Sequence, residues 1–190
     1  VVIIDQPVEV FHYVQGDAKL YGGEIVVDLH PHPLDWLHFE NSFSYVRGQL
    51  KNQPEESTSL PFMPAPKFHS EIRTDFQDVG PVFKNLYFRM GVDHVFEQNQ
   101  IFSAYDTETP TDSYTLLHVG IGADIRGSND QTLFTISLAG SNLLDQAYQS
   151  HLSRLKYAPE NPVTGRRGIY NMGRNVSMRL VVPLDFKRKS

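Results

Sequence analysis

The stretch Leu37–Tyr45 reads LHFENSFSY, and its residues separate into two sets at every second position. The odd-numbered positions hold Leu, Phe, Asn, Phe and Tyr, whereas the even-numbered positions hold His, Glu, Ser and Ser. Successive side chains of a β-strand point to opposite faces, so this period of two predicts a strand with one apolar and one polar face. An α-helix would mix the two sets.

The same period recurs along most of the chain. Counting its occurrences predicts about eight strands, including a short first strand near residues 8–14. Besides the set at 37–45, the predominantly apolar sets are Tyr21, Ile25, Val27, Leu29; Phe68, Ile72, Thr74, Phe76; Leu86, Phe88, Met90, Val92, Phe96; Leu117, Val119, Ile121, Ala123, Ile125; Phe134, Ile136, Leu138; and Val176, Met178, Leu180, Val182, Leu184, Phe186.

Strand length and loop length separate a membrane barrel from a soluble sheet. The predicted strands run to roughly 10–13 residues, as tilted membrane strands do, whereas soluble strands usually run to about 5–6. Short turns, such as His30–Asp35, alternate with long polar loops at 48–66, 98–112 and 142–172. Short turns at one end and long loops at the other are typical of outer-membrane barrels. The sequence therefore predicts an all-β, antiparallel transmembrane β-barrel.

Composition narrows the class of protein further. The chain has 190 residues, a net charge of -5 and no Cys, which argues against a nucleic-acid partner and excludes disulfides and thiolate metal sites. No apolar stretch has the length of a membrane helix. The chain starts at Val1 and no signal peptide is visible, so we expect a processed product or a piece of a longer protein.

Five segments, in order, resemble the C-terminal part of TonB-dependent outer-membrane receptors. They are the Gly-Glu strand and Pro turn at 17–48, the Leu-Pro start of a strand at 60–76, the Tyr-Thr-Leu-Leu strand at 109–125, the Asn-Leu-Leu-Asp segment at 133–156 and the Gly-Arg-Asn start of the last strand at 168–186. The resemblance implies that residues 1–190 form one barrel segment. That segment would be the C-terminal part of a barrel of about 22 strands, with the plug domain absent.

The resemblance also implies a location and partners. The protein is expected in the cell outer membrane, with its wall against the lipid bilayer and with TonB contacting a missing N-terminal part. The alternating last strand, which ends at Phe186, resembles the C-terminal signal that the barrel-assembly machinery recognises. Two features depart from that signal: Lys187–Ser190 follow the aromatic residue, and Pro183 has no backbone N–H to donate.

The two faces of the strands predict which residues contact lipid. Apolar residues at alternate positions would form the wall, and aromatic residues at strand ends would form interfacial girdles. The predicted membrane-facing residues are Leu37, Phe39, Phe43, Phe88, Val92, Val119, Ile121, Leu180, Val182 and Phe186. The predicted girdles are Tyr21, Tyr45, Phe68 and Phe96 at the outer rim, and Trp36, Phe76 and Phe186 at the periplasmic rim.

The longest loop supplies the candidate binding residues. Arg and Lys in an extracellular loop suit an anionic substrate, although loop charges are more often simply solvated. The predicted substrate-binding residues are His151, Arg154, Lys156, Tyr157, Arg166 and Arg167. A short helix is a further candidate near Ser141–Tyr148. On the polar faces, the charges expected to pair across the barrel wall or with a plug are Glu71, Arg73, Asp75, Arg89, Asp93 and Arg179.

No motif in the sequence indicates a catalytic or metal centre. His30-Pro31-His32 brings two imidazoles together, but no third ligand is identifiable and Pro favours a turn, so no metal site is predicted. There is no nucleophile elbow and no Gly-rich phosphate loop. We therefore expect neither an enzyme nor a cofactor.

Import through an outer-membrane receptor is the leading functional hypothesis. The substrate would be a ferric siderophore, cobalamin, a metal complex or a glycan, and the sequence does not select among them. Two alternatives stay open. One is a self-contained eight-strand outer-membrane barrel. The other is a soluble lipocalin-like or sandwich binding module, in which the apolar face would point inward.

Overall fold

The computed structural model describes residues 16–51, 57–127 and 130–184, which form one antiparallel sheet. Its strands lie side by side in chain order, each hydrogen-bonded to the next. They are β1 (Ala18–Leu29), β2 (Leu37–Leu50), β3 (Lys67–Val79), β4 (Phe83–Val95), β5 (Tyr114–Arg126), β6 (Thr132–Ser141) and β7 (Asn175–Val181). The described part contains no helix long and apolar enough to cross a membrane.

The all-β antiparallel fold is confirmed, and the strands differ from prediction mainly in their bounds. Strand length ranges from 14 residues in β2 to 7 in β7. The predicted last strand is too long, because β7 ends two residues before Pro183, which cannot donate to a ladder. The predicted first strand at 8–14 lies outside the described residues, as does Phe186.

One row of directly opposed residues shows how the register gathers apolar side chains. Leu29 lies opposite Phe39, and Phe39 lies opposite Ile72. Ile72 in turn lies opposite Met90, and Met90 lies opposite Val119. Opposed residues of an antiparallel pair share a face of the sheet, so this row carries apolar side chains across five strands. The continuous surface of such rows is called the apolar face below.

The strand residues predicted to face lipid share this apolar face, as the register of each strand pair shows. Whether that face contacts lipid stays a prediction. Val182 lies just beyond β7 with 52% of its surface exposed, and Phe186 is outside the described residues. The predicted residues on the apolar face are Leu37, Phe39, Phe43, Phe88, Val92, Val119, Ile121 and Leu180.

The apolar face is open rather than packed against a second layer. Ile25 is 66% exposed and Leu180 is 57% exposed. In the part of the chain that the structure describes, the buried hydrophobic residues are Ala104, Leu116 and Ala123. A soluble binding module would instead gather the large apolar residues of its strands inside. The arrangement therefore argues against the soluble alternative.

The connections confirm the predicted asymmetry between the two ends of the sheet. Short connections join β1 to β2, β3 to β4 and β5 to β6, all at one end. Long connections join β2 to β3, β4 to β5 and β6 to β7, all at the other end. Because consecutive strands are antiparallel, every second connection lies at the same end of the sheet. Short and long connections that alternate along the chain are therefore collected at opposite ends. We call the two ends the turn end and the loop end.

Among the described residues, the girdle aromatics lie at the predicted ends of the sheet, and Phe186 lies outside that part of the chain. Trp36 stacks on Phe76 at the turn end, with ring centroids 5.3 Å apart. Phe43 meets Phe96 edge to face near the loop end, at 6.1 Å. Such pairs add about 0.5–1.5 kcal/mol beyond burial of their area. Aromatic contacts therefore stabilise the apolar face at both ends of the sheet.

The predicted helix near Ser141–Tyr148 is wrong. Asn142 and Asp145 have positive φ angles of 49° and 54°, which an α-helix does not allow. The Asn142 side chain also accepts a hydrogen bond from the backbone N–H of Gln146 at 2.9 Å. Asn tolerates this left-handed geometry and closes such turns with its own side chain. The segment is therefore a turn that leads out of β6.

We predict that Leu180→Arg destabilises the protein in a bilayer by about 2–4 kcal/mol if the apolar face contacts lipid near the midplane. A charged side chain is costly in hydrocarbon. The free energy of unfolding of the full-length protein in lipid vesicles, measured by denaturant titration, tests this. Ser177→Arg, on the opposite face of the same strand, is the matched control and should cost much less. Equal stability of both variants would contradict the assigned faces.

Candidate functional site

The three long loops pack against one another at the loop end. Gln98 donates its side-chain amide to the carbonyl oxygens of Met63 and Pro64, at 3.2 and 3.0 Å. The Arg154 guanidinium lies 3.6 Å from the centre of the Phe62 ring. Because each contact joins two different loops, residues 57–66, 98–112 and 142–172 form one assembly, called the loop layer.

Glu108 is the central acceptor of the loop layer. Its side chain is almost fully buried. It accepts one hydrogen bond from the backbone N–H of Phe62 at 2.6 Å and another from that of Phe102 at 2.7 Å. A carboxylate is acceptor-only, and bonds to a charged acceptor are stronger than neutral ones. Glu108 therefore fixes the backbone of two loops with one side chain.

Lys156 is the corresponding buried cation. Its residue is 6% exposed, and its ammonium donates to the Thr109 carbonyl at 2.7 Å and to the Thr111 hydroxyl at 2.8 Å. A buried ammonium is costly unless its donors are satisfied. These bonds satisfy two of the three donors and attach the β6–β7 loop to the β4–β5 loop.

His151 connects the buried acid to the buried cation. Its Nδ1 lies 2.8 Å from the Thr111 hydroxyl, and its Nε2 lies 3.7 Å from Glu108 Oε1. Thr111 accepts from Lys156, so its own proton can be donated to Nδ1, which directs Nε2–H towards the carboxylate. Burial lowers the pKa of His151, Lys156 lowers it further, and Glu108 partly opposes them.

The six predicted substrate-binding residues therefore fall into three pairs. His151 and Lys156 lie inside the loop layer, where they hold loops together. Arg154 and Arg166 lie over aromatic rings, of Phe62 at 3.6 Å and of Tyr170 at 5.3 Å. The remaining two, Tyr157 and Arg167, line a cleft together with Lys156. A substrate contact for any of the six stays a prediction.

That cleft has a volume of about 470 Å³ and opens at the loop end. Tyr114 and Tyr148 lie against each other in its wall, with ring centroids 4.4 Å apart. Tyr157 and Tyr170 complete its aromatic lining, so we call it the tyrosine cleft. Sequence reasoning missed Tyr114 and Tyr148, because they are far apart in the chain.

The polar face carries a second cluster, centred on Asp93. His69 lies 2.7 Å, Lys67 3.3 Å and His118 3.4 Å from its carboxylate oxygens. These four residues come from β3, β4 and β5 and converge because the register places His69 directly opposite Asp93. A cavity of about 320 Å³ separates Lys67 and Asp93 from His151.

Two of the other polar-face charges, Arg73 and Arg89, do not pair with acids on neighbouring strands, and pairing of these charges with a plug stays a prediction. Arg73 lies directly opposite Arg89, so the register opposes like charges. Arg73 pairs instead with Asp75 on its own strand, at 2.8 Å. Arg89 lies across Gly120, where an added Cβ atom would come within 2.7 Å of its Nε. Tyr87 lies across Gly122 in the same way, and a Cβ atom added at Gly122 would come within 2.6 Å of the Tyr87 ring.

The two His residues of the His-Pro-His turn have different partners. His30 lies 2.7 Å from His38, between their Nδ1 atoms, and 3.0 Å from Asp28. His32 lies 3.3 Å from Asp35. Among residues 16–51, 57–127 and 130–184, no group of three or more His, Asp or Glu side chains is arranged to hold a metal ion.

Comparison with solved structures places this architecture among known folds. The chain is similar to the copper transporter OprC, with a TM-score of 0.68 over 88% of this chain and a sequence identity of 16%. The matched region is 24% of OprC, so the chain spans about a quarter of that transporter. At this identity the likeness shows the fold alone. No protein-family model matches the sequence, and no curated protein matches it.

We predict that Glu108→Leu loosens the loop layer, because two half-buried backbone N–H groups lose their acceptor. Each unsatisfied donor costs about 1–3 kcal/mol. Hydrogen exchange of the amides of Phe62 and Phe102 measures the effect. Glu108→Gln keeps one acceptor oxygen and should show an intermediate loss of protection. The exposed Glu160→Leu is the matched control, and equal protection in all three variants would contradict the assigned role.

We predict that acid loosens the same layer through His151. At a pH well above 6.5 the imidazole is neutral in both the folded and unfolded states. Below pH 6.5 the unfolded chain takes up the proton first, because the folded pKa is lowered, so the free energy of opening falls. Hydrogen exchange of loop amides between pH 7.5 and about 4.5 should show this fall. His151→Gln should flatten it, and an unchanged pH profile in that variant would contradict the role of His151.

Proposed function

We propose that the chain is the C-terminal wall segment of an outer-membrane receptor that imports a scarce substrate with energy from TonB. The observation that carries the proposal is the apolar face, which continues across seven strands and is open to its surroundings. In water such a surface would promote aggregation, whereas against hydrocarbon it is stabilising. The polar face then lines the interior of the wall.

The loop end supports a role in binding as well as in enclosing a channel. Loops that serve only as connections need no buried charges. Here Glu108, His151 and Lys156 are buried and hydrogen-bonded or paired between loops, which gives the tyrosine cleft a defined shape. Binding sites usually combine such a rigid support with a largely pre-formed concave surface.

The partners of this proposal come from the sequence resemblance. TonB would contact the N-terminal part of the intact receptor, and the barrel-assembly machinery would recognise its last strand. The likeness to OprC supports a transport barrel by its fold. OprC is a copper transporter, but at 16% identity the likeness shows the fold alone, so copper is not proposed as the substrate of this chain.

We predict that the full-length protein, expressed with a secretion signal, is recovered in the outer membrane. On a denaturing gel, the unheated sample should migrate differently from the heated sample, as folded β-barrels do. The purified protein should also retain the periplasmic domain of TonB on an affinity column. Recovery as a soluble periplasmic protein would contradict the membrane role. Outer-membrane recovery without TonB retention would favour the self-contained barrel instead.

Variants of the two faces provide a second test. The double mutant Ile121→Asp, Leu180→Asp, on the apolar face, should reduce membrane recovery, whereas the matched double mutant Ser137→Asp, Ser177→Asp, on the polar face, should not.

A further inference from the structure

Two basic residues interrupt the apolar face at the loop end of β1 and β2. Within each of these described strands, one charged residue occupies the alternate positions that form the apolar face: Lys19 in β1 and Arg47 in β2. The acidic residues of the same strands, Glu24, Asp28 and Glu40, occupy the intervening positions and therefore lie on the polar face. The charge on the apolar face of β1 and β2 is thus entirely positive and lies at one end.

The register brings the two cations close together. Tyr21 lies directly opposite Arg47, and Lys19 lies directly opposite Gln49. Lys19 and Arg47 are therefore diagonal neighbours on one face, a relation that places Cα atoms about 7–8 Å apart. The Lys19 ammonium lies 5.6 Å from the centre of the Tyr21 ring. Because both side chains are long, a group of the size of a phosphate can contact both cations at once.

Neither cation forms an ion pair within residues 16–51, 57–127 and 130–184. Arg47 is half-buried, and its Nε atom is buried without a hydrogen-bond acceptor. Asp17, the acid nearest to Lys19 along the chain, is paired with Lys51 at 3.7 Å. On the polar face, by contrast, Lys67 lies 3.3 Å from Asp93. A buried donor without an acceptor is costly, so an anion supplied from outside the chain would stabilise this pair.

The order of residues along β2 follows the order of layers in a bilayer. Phe43 is apolar, Tyr45 combines a ring with a hydroxyl, and Arg47 is charged. Arg47 follows Phe43 by about 13 Å along the strand. Tyrosines concentrate at the membrane interface, and long basic side chains extend from apolar surface towards the headgroups. The two cations therefore lie at the depth where lipid headgroups begin.

We propose that Lys19 and Arg47 bind the phosphomonoester headgroup of an anionic membrane lipid. The inference rests on the proposed function, because it requires the apolar face to lie against lipid. A phosphomonoester carries a charge of about -1.5 to -2 near neutral pH, which matches two cations. The guanidinium donates two parallel N–H bonds to phosphate oxygens, and the ammonium adds a compact charge. The acyl chains of the lipid lie along the apolar rows below, beginning with Ile25 and Phe43.

Native mass spectrometry of the full-length protein in a polyoxyethylene ether detergent tests the proposal. The probes share their acyl chains: dioleoyl phosphatidic acid is a phosphomonoester, and dioleoyl phosphatidylcholine is zwitterionic. We expect saturable retention of phosphatidic acid at concentrations at which phosphatidylcholine is not retained. Equal retention of the two lipids overturns the proposal. Complete displacement of phosphatidic acid by inorganic phosphate also overturns it, because the ligand would then be free phosphate.

Variants locate the binding site. Lys19→Gln and Arg47→Gln should each weaken the retention of phosphatidic acid about fivefold, and the double variant should weaken it further. The matched control is Arg89→Gln, Arg179→Gln, which removes the same charge from the polar face and should leave the affinity unchanged. Equal affinity of the wild type and the Lys19→Gln, Arg47→Gln protein overturns the assignment. An equal loss in the control also overturns it, because the effect would then be one of net charge.

The two proposals fail in different measurements. The difference in gel mobility between unheated and heated samples shows that each variant is folded. Outer-membrane recovery and TonB retention without selective lipid retention would remove the headgroup site and leave the receptor role intact. Selective lipid retention by a protein that does not retain TonB would remove the receptor role and leave the headgroup site.

Discussion

The rest of the structure depends on the coupling between side-chain alternation and strand register. Because side chains alternate with a period of two, a slip of one residue between two strands would move every side chain of one strand to the opposite face. The observed pairs, such as Phe39 with Ile72 and Met90 with Val119, keep apolar residues together in each step across the sheet. One face can therefore be predominantly apolar, while the other carries the cluster centred on Asp93.

The loop end is organised by a different interaction, the burial of opposite charges among backbone groups. Glu108 satisfies two N–H donors from different loops, whereas Lys156 satisfies acceptors in the β4–β5 loop. Neither charge is stable alone in a buried position, and removal of one group leaves its partners without hydrogen bonds. His151 lies between them, with Nδ1 2.8 Å from the Thr111 hydroxyl and Nε2 3.7 Å from Glu108 Oε1.

Local sequence pattern predicted the strands and their faces, because alternation at Leu37–Tyr45 and elsewhere is a property of neighbouring residues. It did not predict contacts between residues far apart in the chain. Glu108 meets Phe62 across 46 positions, and no local pattern marks either residue as a partner. The helix considered at Ser141–Tyr148 failed because the turn is closed by the amide of Asn142. In the same way, the predicted binding loop contained charges, and only the fold showed which of them are buried.

Gly120 and Gly122 allow the sheet to be thin at β5. The side chains of Arg89 and Tyr87, from the neighbouring strand, lie over these two positions, where an added methyl group would displace them. The two side chains therefore occupy the space beside β5 that a Cβ atom would take at these positions. Exchanging either glycine for alanine would push these side chains away from the sheet and make the polar face of β5 locally thicker.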